Sequence, residues 1–154
     1  MTLQFRPATP PDFDAIHALI KILGHDLDFA RTRQIYLDNL DNPNVRYRVA
    51  VAEAARVVGF ISLSLQKHLH HAAIIGEIQE LIIEPACRGQ NIGQTLLRQM
   101  EQIALQAGAV TVELSTGTHR KDAHRFYERE GFLRSHYRFV KELQAARQDT
   151  CQQI

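Results

Sequence analysis

A short glycine-containing loop is the part of this sequence best suited to binding a ligand. The loop reads Arg-Gly-Gln-Asn-Ile-Gly from Arg88 to Gly93, and it lies between an apolar, β-branched segment and a strongly periodic helical segment. This order of strand, loop and helix directs backbone N–H groups and the positive end of a helix dipole toward one point, where an anionic phosphate binds well. The loop therefore predicts a phosphate site without saying which phosphate.

Two carboxylates, Glu77 and Glu80, lie in the apolar segment before this loop. A central strand that is buried on both faces is normally apolar throughout, so carboxylates there need a partner or a function. Burial raises the pKa of a carboxyl group and suits a base that acts near neutral pH. Residues three apart point to opposite faces of a regular strand, so only one would line a given cleft unless a bulge intervenes. Pairing with a neighbouring arginine or histidine is the alternative interpretation.

The elements that must position these residues form one α/β domain over residues 1–142, followed by a polar tail over 143–154. Apolar residues at helical spacing predict a helix ending near Leu23 and further helices over Ala30–Leu40, Ile92–Ala107 and Asp122–Glu130. Segments that contain apolar, β-branched or aromatic residues predict strands over Leu3–Arg6, Arg46–Glu53, Val57–Leu65, Ile74–Ile83, Val110–Leu114 and Phe132–Val140. Thr9 and Asp12 have the spacing of a capping box at the first helix.

Composition excludes several classes of protein. The 154 residues are 45% hydrophobic and 23% charged, as in an ordinary globular domain, and the net charge of +1 does not favour a nucleic-acid partner. No apolar run approaches the ~18 residues of a membrane span, and the first residues lack the layout of a signal peptide. Cys87 and Cys151 have no metal-ligand spacing. We therefore expect a cytoplasmic protein without disulfides and without a nucleic-acid or membrane partner.

Two familiar phosphate sites do not match the loop. A P-loop would require a Lys-Ser/Thr pair that is missing after Gly89. A dinucleotide-binding fingerprint would come early in the chain, whereas this loop lies past the midpoint and follows a predicted antiparallel meander.

A second motif, Ala-His-Arg-Phe-Tyr-Glu-Arg-Glu-Gly-Phe over Ala123–Phe132, identifies the family. Together with the Ile83-to-Gly93 motif it resembles the GCN5-related N-acetyltransferases over residues 3 to about 141. The resemblance implies a mixed, mostly antiparallel sheet of six or seven strands flanked by four helices. Within that superfamily, the segments around His68–His71, Gly76–Leu81, Glu113–Thr116 and Asp122–Tyr127 are similar to bacterial aminoalkylphosphonate N-acetyltransferases, and so is Asn91, where glycine is usual.

The resemblance implies that acetyl-CoA is the donor. Its pyrophosphate would lie on the N–H groups of the loop, and its pantetheine arm would pair like an extra strand with the end of the preceding strand. The implied cofactor-binding residues are Leu81, Ile82, Ile83, Arg88, Gly89, Gln90, Asn91, Ile92, Gly93, Gln94 and Thr95. For the glycines a simple turn or packing role is the alternative, and Asn91 could either supply a contact or tolerate a left-handed conformation.

Acetyl transfer to an amine needs a base for the ammonium, donors for the oxyanion and an acid for the departing thiolate. The resemblance assigns the acid to Tyr127, favours Glu77 as the base and leaves Glu80 as a water-holder or substrate contact. An interfacial tyrosine with a packed ring is the alternative for Tyr127. The oxyanion donor would be a backbone N–H near Ile82 or Ile83.

The implied reaction is direct transfer of an acetyl group to the primary amine of a small aminoalkylphosphonate. Arg46, His68, His70 and His71 are candidate contacts for the acceptor. In an extended segment His68 and His70 project to the same side and His71 to the opposite side. A divalent ion could bridge such imidazoles to a phosphonate, but no third ligand with clear spacing is visible, and we predict no metal site. Solvated or stacked rings and direct contact with the phosphonate are the other interpretations of the three histidines. A homodimer is implied by resemblance only. The alternatives are another small amine (an amino-sugar phosphate, a polyamine or an aminoglycoside), a protein amine, or a non-catalytic acetyl-CoA-binding module.

Overall fold

The structure, a computed structural model, describes residues 1–143. Contacts divide the chain into two compact units, Met1–Thr116 and Gly117–Ile154. The expected single domain over residues 1–142 with a tail over 143–154 stays a prediction, and Cys151 lies outside the described residues. Within residues 1–143, no helix combines the length and the apolar character needed to cross a membrane.

The first unit is built on one five-stranded sheet. Its strands are β1 (Gln4–Pro7), β2 (Val45–Val51), β3 (Val57–His68), β4 (Ala73–Ile83) and β5 (Ala109–Leu114). The strands lie side by side in chain order. The pairs β1–β2, β2–β3 and β3–β4 are antiparallel, and the pair β4–β5 is parallel. The helices are α1 (Phe13–Ile22), α2 (Phe29–Leu40) and α3 (Ile92–Gln106), and the second unit contains α4 (Lys121–Arg129). The predicted mixed sheet and four helices are confirmed.

Helices cover both faces of the sheet. Phe13, Ile16 and Tyr36 of α1 and α2 form one buried cluster with side chains of β2, β3 and β4. On the opposite face the α3 side chains Leu96, Leu97 and Met100 are fully buried. The two faces together account for the near-continuous apolar runs of β3 and β4, which are buried on both sides.

A glycine in β3 lets the start of α3 approach the sheet closely. A Cβ atom placed on Gly59 would lie 3.2 Å from the side chains of Ile92 and Leu96 and 3.0 Å from that of Ile83. The first turn of α3 is therefore held against the end of β4, which fixes the loop between them.

The first helical segment begins at a well-satisfied carboxylate. Asp12 accepts hydrogen bonds from the Thr9 backbone N–H at 2.8 Å and, through both of its oxygens, from the Arg6 guanidinium at 2.7 and 2.8 Å. The hydrogen bond from Arg6 is the main reason that the pKa of Asp12 lies below its usual value. The predicted link between Thr9 and Asp12 is confirmed.

The predicted sixth strand, Phe132–Val140, is wrong. In residues 1–143 no strand follows β5, and Leu133, Tyr137 and Phe139 are almost fully exposed. Apolar and aromatic residues favour an extended backbone, but a strand also needs a neighbour for its hydrogen bonds. The sheet consequently has five strands and not six or seven.

Candidate active site

The site begins with an irregularity in the pairing of β3 with β4. Leu63 pairs with Ile78 and Ile61 pairs with Leu81, so β3 advances by two residues (63 to 61) while β4 advances by three (78 to 81). The extra residue is a β-bulge in β4. A bulge shifts the alternation of side chains, and residues three apart on either side of it project to the same face of the sheet.

The bulge brings Glu77 and Glu80 to one face. Glu77 lies opposite Ser64, whereas Glu80 exchanges hydrogen bonds with Ser62, two residues along β3 on the same side. Burial is the main reason that the pKa of Glu80 is raised, and the charge of Glu77 adds to it. A regular strand would place Glu77 and Glu80 on opposite faces. The bulge is the exception allowed in the sequence analysis, and it is present.

Ser62 fixes the position of Glu80. Its Oγ accepts the Glu80 backbone N–H at 3.0 Å and donates to the carboxylate oxygen Oε2, while the serine itself has no exposed surface. Burial raises the pKa of Glu80, and the Ser62 hydrogen bond and the charge of His25 lower it in part. A carboxylate of raised pKa at a defined position is suited to accept a proton near neutral pH.

The side chain of Tyr47 is fixed by a neighbouring ring and by a hydrogen bond. The Tyr47 ring stacks on Tyr36 with 5.4 Å between centroids, and its hydroxyl accepts a hydrogen bond from the Asn39 amide at 2.6 Å. Burial is the main reason that the pKa of Tyr47 is raised, and the charge of Glu80 adds to it. Ser62, Tyr47 and His25 were not identified as site residues in the sequence analysis. For Ser62 a signal was available, since it is a serine inside the apolar run of β3.

The end of β4 has an open edge beside the glycine loop. β5 pairs with β4 only as far as Ile78, opposite Leu114, whereas β3 continues to pair with β4 up to Ile83. In residues 1–143, no strand covers the other side of the segment from Leu81 to Ile83. An extended chain with amide groups, such as a pantetheine arm, can form main-chain hydrogen bonds with such an edge.

The loop after this edge contains two left-handed residues. Gly89 has φ +79° and Asn91 has φ +60° with ψ +18°, and Asn91 caps the first turn of α3. The Asn91 carbonyl accepts from the Thr95 backbone N–H and hydroxyl, both at 3.0 Å. The left-handed conformation considered for Asn91 is therefore confirmed. The first N–H groups of a helix have no acceptor within it, so this end of α3 is suited to an anion.

In the second unit, Tyr127 lies on α4 between two aromatic rings. The ring centroids of Phe126 and Phe132 are 5.2 and 5.7 Å from that of Tyr127, and the Phe132 N–H donates to the Tyr127 carbonyl at 3.0 Å. Burial raises the pKa of the Tyr127 phenol, and the charge of Arg120 opposes this shift. A tyrosine phenol is protonated at neutral pH even without this shift, so the Tyr127 hydroxyl has a proton to donate.

The predicted acceptor contacts lie in two different places. Arg46 pairs with Leu63 and therefore lies on the face of the sheet that α3 covers, whereas Glu80 lies on the other face. The Arg46 guanidinium donates to the Pro43 carbonyl and, at 3.2 Å, to the Val45 carbonyl. His68, His70 and His71 gather at the turn between β3 and β4. The expectation that His71 points away from the others is wrong, because residues 69–71 form a 3-10 turn instead of an extended segment.

Comparison with known proteins identifies the family. A family model described as Acetyltransferase (GNAT) family matches residues 15–132. The chain belongs to this family. An aminoalkylphosphonate N-acetyltransferase of Salmonella typhimurium is 52% identical over 141 residues, which are 91% of each chain. An IAA acetyltransferase of Azospirillum brasilense is 29% identical over 77% of each chain. GNAT enzymes take their acetyl group from acetyl-CoA.

Solved structures show the same fold. An aminoglycoside N-acetyltransferase in complex with CoA superposes with a TM-score of 0.84, covering 92% of this chain and 95% of its own, at 12% identity. At that identity the likeness concerns the fold alone. The GNAT fold expected from the two motifs is confirmed.

Proposed function

We propose that this chain transfers the acetyl group of acetyl-CoA to the primary amine of a small aminoalkylphosphonate. The observation that carries the proposal is the 52% identity with the Salmonella enzyme over 91% of both chains. A matched span of 141 residues in a chain of 154 takes in the segments that carry the acidic pair, the three histidines and the α3 loop.

The donor would lie along the end of β4 and at the start of α3. The open edge from Leu81 to Ile83 supports main-chain pairing with the pantetheine arm. The loop supports backbone recognition of the pyrophosphate, because its conformation depends on left-handed residues and presents N–H groups at a helix N-terminus. The proposed donor contacts are Leu81, Ile82, Ile83, Arg88, Gly89, Gln90, Asn91, Ile92, Gly93, Gln94 and Thr95.

The acceptor amine would bind at the acidic pair. Two carboxylates on one face attract an ammonium ion, and Glu80, whose pKa is raised by burial, accepts its proton. This assignment exchanges the roles expected for the two residues, since Glu77 then holds the ammonium and Glu80 is the base. The neutral nitrogen forms a bond to the acetyl carbonyl carbon, and the carbon–sulfur bond then breaks.

The departing thiolate needs a proton, for which we assign Tyr127. Its phenol carries a proton at neutral pH, as ordinary tyrosines do, and burial raises its pKa further. Its place in the Ala123–Phe132 motif matches the general acid of the family. No covalent acetyl-enzyme is required. Cys87, the cysteine of the loop region, is buried and contacts Glu84 Oε2 at 3.4 Å.

The acceptor class is tested by comparing kcat/KM for 2-aminoethylphosphonate with values for glucosamine 6-phosphate, a polyamine and an aminoglycoside at saturating acetyl-CoA. We expect the phosphonate to be the best substrate by at least ~10-fold, because polar groups that pair with one head group are left unpaired when that head group is missing. Equal or better turnover of an amine without phosphorus would refute the acceptor assignment while leaving the acetyltransferase assignment intact.

A further inference from the structure

Three imidazoles meet at the turn between β3 and β4. His68 ends β3, and His70 and His71 belong to the 3-10 turn Leu69–His71, which closes at Ala72 with φ +48°. One ring nitrogen of each histidine lies within 4.8 Å of one ring nitrogen of the other two. The ring centroids are 4.0 to 5.7 Å apart. No other group of three metal-ligating side chains is found in residues 1–143.

The hydrogen bonding of His68 leaves one nitrogen available. Its Nε2 lies 3.3 Å from Gln66 Oε1, and its Nδ1 is buried without a hydrogen-bond partner. Because the Gln66 oxygen only accepts, this contact requires the hydrogen on Nε2 and leaves a lone pair on Nδ1. Histidines that ligate a metal usually donate their second ring N–H to an oxygen in this way. A buried polar atom without a partner also calls for an explanation, and an ion would supply one.

From this arrangement we infer that His68, His70 and His71 bind one divalent transition-metal ion. Imidazole nitrogen is a preferred ligand for zinc, cobalt and nickel. Three such ligands at 2.0–2.1 Å from a tetrahedral ion are separated by about 3.3 Å, so the observed spacing requires each pair to close by roughly 1.5 Å or less. His70 and His71 are exposed, and their rings have room to rotate by that amount.

The ion would lie away from the proposed acetyl transfer. His68 pairs with Ala73, four residues before Glu77 on β4, which is about 13 Å along the strand. We therefore assign to the ion the fixing of the β3–β4 turn, with a fourth coordination position left for water or an anionic ligand. The inference does not rest on the proposed function, because it uses only residues of this turn.

The test is titration of the untagged, full-length protein with Co²⁺, followed by its visible ligand-field absorption. We expect one equivalent to bind, with a Tm that rises on saturation. His70→Gln and His71→Gln should each weaken binding at least ~10-fold. His136→Gln is the matched control, since it removes an exposed histidine of the second unit, and it should bind as the wild type does.

Two results would overturn the inference: Co²⁺ binding by the two turn variants that equals that of the wild type, or wild-type binding that leaves the absorption spectrum of aqueous Co²⁺ unchanged. Should a variant lose its fold, the wild type still decides the question by NMR. Zn²⁺ should then shift the imidazole resonances of the three turn histidines first, and shifts that spare those three would count against the site.

Discussion

Replacing Ser62 by alanine should move the pH dependence of acetyl transfer. Ser62 Oγ donates to the Glu80 carboxylate, and this hydrogen bond lowers the pKa of Glu80 against the effect of burial. A hydrogen bond to a charged group contributes about 1.5–3 kcal/mol, and one pKa unit corresponds to 1.36 kcal/mol. Because Glu80 is partly exposed, solvent screens part of this effect, and we expect its pKa to rise further above the usual value in Ser62→Ala.

The same substitution should also destabilise the fold. The Glu80 N–H, which now donates to Ser62 at 3.0 Å, loses its acceptor, and an unsatisfied buried donor costs about 1–3 kcal/mol. The stability lost through the carboxylate should be greatest above the folded pKa of Glu80. It should diminish in acid, where the carboxyl group is protonated in both variant and wild type. Urea unfolding at several pH values measures this difference.

The decisive assay is kcat/KM for the acceptor against pH at saturating acetyl-CoA. In Ser62→Ala the rising limb should move to higher pH, because more base is protonated at any given pH. Ser64→Ala is the matched control, since Ser64 lies on the same face of β3 opposite Glu77. An unmoved limb in Ser62→Ala, or an equal shift in Ser64→Ala, would refute the positioning of Glu80 by Ser62.

Three further predictions concern other parts of the molecule. Tyr127→Phe should lower kcat at least ~10-fold with little change in the Kd of acetyl-CoA, and an unaltered kcat would remove Tyr127 from the mechanism. Asn91→Val should destabilise the loop by about 1–2 kcal/mol and raise the KM for acetyl-CoA, because a β-branched residue disfavours φ +60°. Asn91→Gly is the control, and it should keep the stability and the KM near their wild-type values. Asp12→Asn should lower the free energy of unfolding at neutral pH. Since the pKa of Asp12 is depressed in the folded state, the difference in stability between variant and wild type is present above the unfolded pKa and disappears as pH falls through the folded pKa. A stability difference that persists in strong acid would contradict the role of the Arg6–Asp12 pair.

The sequence predicted the elements of this fold closely because most of them have strong local signals. The helices α1, α2, α3 and α4 begin and end within a few residues of the expected positions, as their apolar spacing and end residues indicated. The segment Phe132–Val140 shows the limit of such signals. Its residue types indicate only the backbone preference of one segment, while a strand depends on hydrogen bonds to another.

The candidate site was less predictable than the fold. The identities of Glu77, Glu80 and the α3 loop could be read from residue type and motif. Their arrangement could not, because it depends on a bulge between Ile78 and Leu81 that local composition does not encode. Ser62 became visible only through its contacts with Glu80. The gathering of the three histidines likewise depends on a short turn that has no distinctive sequence.

Acetyl-CoA and an aminoalkylphosphonate are proposed to react at the acidic pair of β4. The decisive variant is Glu80→Gln, an isosteric change that removes the base but keeps an acceptor for Ser62, and the quantities to measure are kcat and the Kd of acetyl-CoA. We expect kcat with 2-aminoethylphosphonate to fall about 100-fold or more and the Kd for acetyl-CoA to stay unchanged. Wild-type kcat in Glu80→Gln would contradict this proposal.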